Sequence, residues 1–148
     1  MTSYRLHVSL GYNLSLAARL QERRLDDALR SLGLTRTTWC VLLAVGVEGH
    51  AQPSDIATFI GIDRTATSRA LRAMEAAGLL TRQSGKGDRR TTRVTLTPLG
   101  LERIRQGVPF AVENNALMQA KLTDAEYDQL LHLLAKLTEG ESTDLSTF

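Results

Sequence analysis

Five side chains between positions 64 and 72 are suited to one kind of chemistry. Arg64, Thr65, Ser68, Arg69 and Arg72 supply cations and hydrogen-bond donors, with no acid, thiol or histidine among them. Such a set lacks the base and the activated nucleophile that catalysis would need. It is well made to hold an anion, because guanidinium groups offer paired N–H donors and hydroxyls add short contacts beside them. The residues recur in steps of three and four, which makes them neighbours on one side of a helix. With Arg64 set at zero on a wheel, Ser68 falls at ~40°, Arg72 at ~80°, Thr65 at ~100° and Arg69 at ~140°. Ala66, Ala70, Met74 and Ala77 gather between ~200° and ~280°, the side expected to dock against the protein.

A second group of donors follows in "SGKGDRR", residues 84–90. Lys86, Arg89 and Arg90 surround one acid, Asp88, and nothing in the stretch asks for burial. Gly85 and Gly87 are expected to give the tip positive φ and close approach to another backbone. Asp88 is expected to pair with a neighbouring arginine and orient it. A nucleotide-binding loop is excluded on pattern, since that motif needs G-x-x-x-x-G-K-[ST] running from a strand into a helix. Here Lys86 is followed by Gly87, and the loop leads into a strand.

The two groups belong to one basic segment. From Asp63 to Arg93 there are eight basic residues and three acids, a surplus of five. The whole 148-residue chain carries a net charge of only +2, so the rest of it sums to −3. A local basic stretch on a slightly acidic body suggests a polyanion met along one face.

The surrounding pattern is mainly helical. Apolar residues at Leu10, Leu14, Ala18, Leu25, Leu29 and Leu32 predict a helix over 6–32. A second is expected over 37–48, and a third over "PSDIATFIG", with Pro53 in its first turn. Asp63 is placed to cap a fourth helix by accepting an N–H from Thr65 or Ala66. Small residues at Ala57 and Gly61, with a very short turn, make the third and fourth helices a helix-turn-helix. "LLTRQ" and "TTRVTLT" are threonine-rich, β-branched segments that predict a hairpin around the basic loop. A helix then starts at Thr97–Pro98, expected to bend or break at Gly107 and Pro109. Thr123, three residues before Glu126, predicts the start of a last helix ending near Thr138. The tail "EGESTDLSTF" is polar and expected to fray.

A helix-turn-helix followed by a hairpin is a winged arrangement, and an α-helix fits the DNA major groove. Arginine there pairs with guanine, and Ser or Thr contacts phosphates, bases or the thymine methyl. Arginines at the hairpin tip suit a narrow minor groove, whose negative potential is enhanced. Thr65 and Ser68 are read as phosphate contacts that set register. Arg64 and Arg69 both remain candidates for reading a base.

The run "GIDRTATSRALRAMEAAGLLTRQSGKGDRRTTRVTLTPLG" resembles the core of MarR-type winged-helix transcriptional regulators, and "LGLTRTTWCVLLAV" is similar to that family's second helix. The resemblance spans roughly residues 5–138. It implies a mainly α fold with a small β-wing, in one compact domain. Residues 1–34 would form an N-terminal dimerisation helix, 35–97 the winged helix-turn-helix lobe, 98–140 the C-terminal dimerisation helices and 141–148 a frayed tail. It also implies a homodimer on double-stranded DNA at a pseudo-palindromic operator, most often as a repressor. By the D-x-R match, Arg90 would enter the minor groove and Arg89 lie near the phosphates. Family members often respond to small phenolic or other aromatic anions, for which Tyr12, Arg19, Arg36, Trp39 and Cys40 are the candidate lining. Trp39 and Cys40 also read simply as core residues of an apolar helix. One branch of the family senses peroxide through a cysteine in its first helix. Cys40 sits in the second, without a matching partner, and reads as an inert thiol.

Other classes find little support. His7, His50 and His132 are in no metal-ligand spacing, so no metal or cofactor is expected. No G-x-S-x-G or H-E-x-x-H motif occurs, and no enzyme is expected. The longest uncharged runs, "VSLGYNLSLAA" and "TTWCVLLAVGV", are too short to span a membrane, which needs ~18 residues. A single cysteine cannot form an internal disulfide, in keeping with a cytoplasmic protein. The alternative function is a winged-helix module that binds protein partners and not DNA.

Overall fold

The computed structural model describes residues 2–85 and 88–148, and the side chains of all of these except 88–90. A 3₁₀ turn at Leu6–Val8 precedes helix α1 (Leu10–Arg30), followed by α2 (Arg36–Gly46), α3 (Pro53–Ile60) and α4 (Arg64–Ala76). Strands β1 (Leu80–Gly85) and β2 (Asp88–Leu96) form a two-stranded antiparallel sheet, and α5 (Pro98–Gln119) and α6 (Asp124–Thr138) complete the chain. The mainly α architecture with a small wing is therefore as expected.

Helix starts follow local chemistry. Thr35 and Thr38 form a reciprocal cap at α2, and Thr123 and Glu126 do the same at α6. Each pair satisfies two backbone donors that a helix end leaves over. The first helix begins later than its apolar pattern suggests, because Ser9 accepts the N–H of Tyr12 and fixes the boundary there.

The core lies where α1 and α2 meet the α3–α4 pair and the base of the wing. Leu29, Leu42, Ile56, Leu71, Met74 and Leu80 are all fully buried. Residue Val94 of β2 is buried too, and its N–H reaches the Ala51 carbonyl at 2.7 Å, tying the sheet to the loop before α3.

The expected break at Gly107 and Pro109 does not occur: α5 is continuous from Pro98 to Gln119. Gly107 is there for space, not for flexibility, since any Cβ on it would collide with the ring of Trp39. Pro109 removes one helical donor but faces solvent, where water can serve the carbonyl left over. Further along α5, buried Asn114 accepts from Arg24 Nε at 3.0 Å and donates to the Gln21 carbonyl at 3.2 Å, fixing α5 against α1.

The polar tail also departs from expectation. It does not fray but returns to the turn between α3 and α4, where Leu145 makes a parallel bridge with Ile62. The N–H of Asp63 donates to the Leu145 carbonyl at 2.7 Å. Composition could not reveal this contact, because it is made by main-chain atoms. Among the described residues, no helix is long and apolar enough to cross a membrane.

Candidate nucleic-acid interface

The pair α3–α4 turns through Gly61, whose φ of 77° places it in the left-handed region. That conformation, which favours glycine, is the reason for the residue. A Cβ at position 61 would make only ordinary contact, so helix crossing does not require it. Two residues later Asp63 caps α4, its Oδ1 accepting the Ala66 N–H at 2.7 Å. Its carbonyl accepts the Thr67 hydroxyl at 2.8 Å, which satisfies the one polar side chain on the buried face of α4.

That buried face consists of Thr67, Ala70, Leu71 and Met74. It is turned from the expected alanine side, with Ala66 half-buried and Ala77 exposed. Leu71 and Thr67 join Ala70 and Met74 on the buried face in place of Ala66 and Ala77, because their longer side chains reach into the core. The consequence is favourable for the opposite side: Arg64, Thr65, Ser68, Arg69 and Arg72 are all exposed. Among the described residues, no carboxylate lies within ion-pair distance of Arg64, Arg69 or Arg72.

The wing is held against this helix by one basic residue that is not free. Arg82 Nη2 meets Glu75 Oε1 at 3.1 Å, and the Arg82 backbone N–H donates to Glu75 Oε2 at 2.9 Å. These hydrogen bonds hold the Glu75 carboxyl below its ordinary range. They join the last turn of α4 to β1 and so fix the angle between helix and wing. In the sequence Arg82 registers only as one more charge of the basic segment. Arg82 lies beyond the end of α4, in β1, so helical periodicity does not relate it to Glu75.

The hairpin register pairs Leu80 with Leu96, Arg82 with Val94 and Ser84 with Thr92, and then shifts so that Gly85 faces Asp88. Gly85 is not in the left-handed region expected for it. Its missing side chain instead admits Thr91, whose Oγ1 would lie 2.9 Å from any Cβ there. Lys86 and Gly87 lie outside the described residues. The side chains of Asp88, Arg89 and Arg90 do too, although their backbone belongs to β2.

Helix, turn and wing meet in one cleft of 290 Å³ lined by Gln52, Pro53, Ser54, Arg64, Ser68 and Thr92. Two donors of α4, the first turn of α3 and the wing strand therefore open on the same side of the molecule. Such a cleft, lined by a guanidinium and three hydroxyls, offers hydrogen-bond donors to an anionic strand.

The residues proposed for a small ligand are placed less coherently. Tyr12 is half-buried and meets His7 edge-on, with ring centroids 4.9 Å apart. Arg19 is exposed, its Nε donating to the Ser15 carbonyl at 3.3 Å. Trp39 is 4% exposed and packed on Gly107. Burial pushes the half-buried Cys40 thiol up, with the Arg36 charge opposing it. Arg36 itself is engaged, 2.8 Å from both Glu22 Oε1 and Asp26 Oδ1. The second contact is close enough for charge pairing yet out of line for a hydrogen bond. Of the five, only Arg36 lines a cavity of 650 Å³ between α1, α2 and α4. Among the described residues, no group of three His, Cys, Asp or Glu side chains could hold a metal ion.

Comparison with known proteins agrees with the geometry. The MarR family model matches residues 32–91, from the end of α1 to the wing. The chain is similar to BpsR of Bordetella bronchiseptica, studied for regulation of its DNA binding by 6-hydroxynicotinic acid. The two share 25% identity over 95% of this chain and all of that one, with a TM-score of 0.85. It is also similar to the transcriptional regulator MOSR of M. tuberculosis, solved in complex with DNA, at 29% identity and TM-score 0.72. That match covers 88% of this chain and 96% of the other. A mutant MarR from E. coli, complexed with operator DNA, shares the fold at 22% identity and TM-score 0.81, covering 93% and 99% of the two chains. The helix-turn-helix and the basic helix face both lie within residues 32–91, the segment that matches the MarR family model.

Proposed function

We propose that this protein is a sequence-specific DNA-binding regulator, most simply a repressor, acting as a homodimer in the cytoplasm by binding and not by catalysis. The observation that carries the reading is the shared cleft of Ser54, Arg64, Ser68 and Thr92 beside an exposed, acid-free helix face. It supports insertion of α4 in the major groove, with the wing toward the adjacent minor groove. The exposed leucines of α6 support pairing with a second copy. Regulation of BpsR by 6-hydroxynicotinic acid supports a small aromatic acid as effector here.

Selection of bound sequences from a random duplex library tests the proposal. A two-fold symmetric site, with half-sites about one helical turn apart, is the expected result. Binding should weaken steeply with salt, as neutralised phosphates release counterions. Arg64→Ala or Arg69→Ala should cost about 1–3 kcal/mol and relax preference where that residue reads a base. Arg90→Ala should weaken most sequences alike and lower the salt slope. No duplex retained at low salt would leave the winged lobe as a protein-binding module.

A further inference from the structure

The returning tail lies across the end of α4 that the proposed function needs. Gly61, in the turn, lies against Thr143, and the next two residues carry the main-chain contacts of Leu145 with Ile62 and Asp63. On one flank of α4, Thr143 and Asp144 share a cavity of 300 Å³ with Ser54, Thr58 and Arg64. On the other flank, Ser146, Thr147 and Phe148 line the 650 Å³ cavity together with Arg69. Both candidate base-reading arginines therefore border the same short segment.

Its chemistry fits that position. Asp144 is its one acid, Glu139 and Glu141 stand just before it, and no base occurs from Glu139 to Phe148. Asp144 lies near the first turn of α4, where the helix dipole favours negative charge. A DNA phosphate would be attracted to this end for the same reason. The tail is also lightly held: Leu145 is 56% exposed and Phe148 45%, and a single hydrogen bond ties it to Asp63.

We propose that residues 143–148 are an intramolecular competitor for DNA, an acidic strap over the N-terminal end of α4 that must leave before a duplex seats. This rests on the reading of α4 as the DNA-contacting helix. A strap that occupies the site for most of the time lowers apparent affinity by the fraction of molecules left open. The strap also couples the regulator to anything that captures its tail.

Two measurements on the 148-residue chain test it. The double variant Glu141→Gln, Asp144→Asn removes charge from exposed positions and leaves the fold intact. It should bind a mixed-sequence duplex about three- to tenfold more tightly than the parent at low salt. That gap should close as salt rises. In the parent chain, amide hydrogen exchange at residues 143–148 should speed up when duplex is added, while that of α4 slows. Equal or weaker binding by the variant, or slower exchange of the tail amides with DNA present, overturns the proposal. If both chains bind alike, only the strap is lost. If neither retains a duplex, the DNA-binding reading falls and the strap with it.

Discussion

In the winged lobe, Leu42, Ile56, Leu71 and Leu80 are 0–1% exposed, whereas Leu130, Leu131, Leu133, Leu134 and Leu137 of α6 are 36–50% exposed. Both regions carry leucine at helical spacing, and both are well capped. The lobe satisfies its apolar faces within one chain. Helix α6 does not, and leucines repeated along one element are what a helix presents to another surface. The same periodicity thus means an internal core in one region and, on the homodimer reading, an interface in the other.

That contrast can be broken most directly with one substitution made twice. Leu42→Ala should cost about 2–5 kcal/mol in a denaturant titration, since it opens a cavity in the lobe. Leu134→Ala should leave the lobe's own transition in place and instead weaken self-association, measured by sedimentation across a concentration series. Equal loss of lobe stability from both would mean that α6 belongs to the same core. Gly107→Ala comes next, at about 1–3 kcal/mol, because the new methyl must displace the Trp39 ring. Altered Trp39 emission should accompany it. Asp63→Ala should cost about 1 kcal/mol by removing the cap of α4. Hydrogen exchange at Ala66 should locate that loss in the lobe.

The smallest expected effect concerns acid. The Glu75 carboxyl is lowered chiefly by the Arg82 side-chain and backbone hydrogen bonds. Its contribution is therefore complete above the ordinary carboxylate range and fades as pH falls through the lowered folded value. Glu75→Gln should be slightly less stable at neutral pH, and it should lose less stability than the parent between neutral and acid pH. Identical acid profiles would remove the pair as the clasp of the wing.

What was legible in the sequence is what neighbours in the chain decide. The Asp63 cap, the Thr123–Glu126 box, the hairpin and the exposed row from Arg64 to Arg72 all follow from residues a few positions apart. The misread features depend on distant partners. Gly107 and Pro109 signal a break locally, yet Trp39, 68 positions earlier, explains the glycine. The tail's polarity signals disorder, but its contact is a backbone one with Asp63. The turned docking face of α4 depended on Leu71 and Thr67 reaching a core that only the fold assembles. The residues chosen for an effector came from resemblance, and of the five only Arg36 borders the cavity beside α4.

Arg36 has a mechanical consequence. A cation in the first turn of α2 opposes the helix dipole, and the carboxylates that offset it, Glu22 and Asp26, come from α1. On the DNA-binding homodimer reading, the same guanidinium bears on the tilt at which the reading head hangs from the long first helix. In a paired molecule that tilt would govern the span between two heads, and with it which operator lengths fit. A lesion at Arg36 should show itself as a changed tolerance for spacer length, with the preferred bases in each half left as they were.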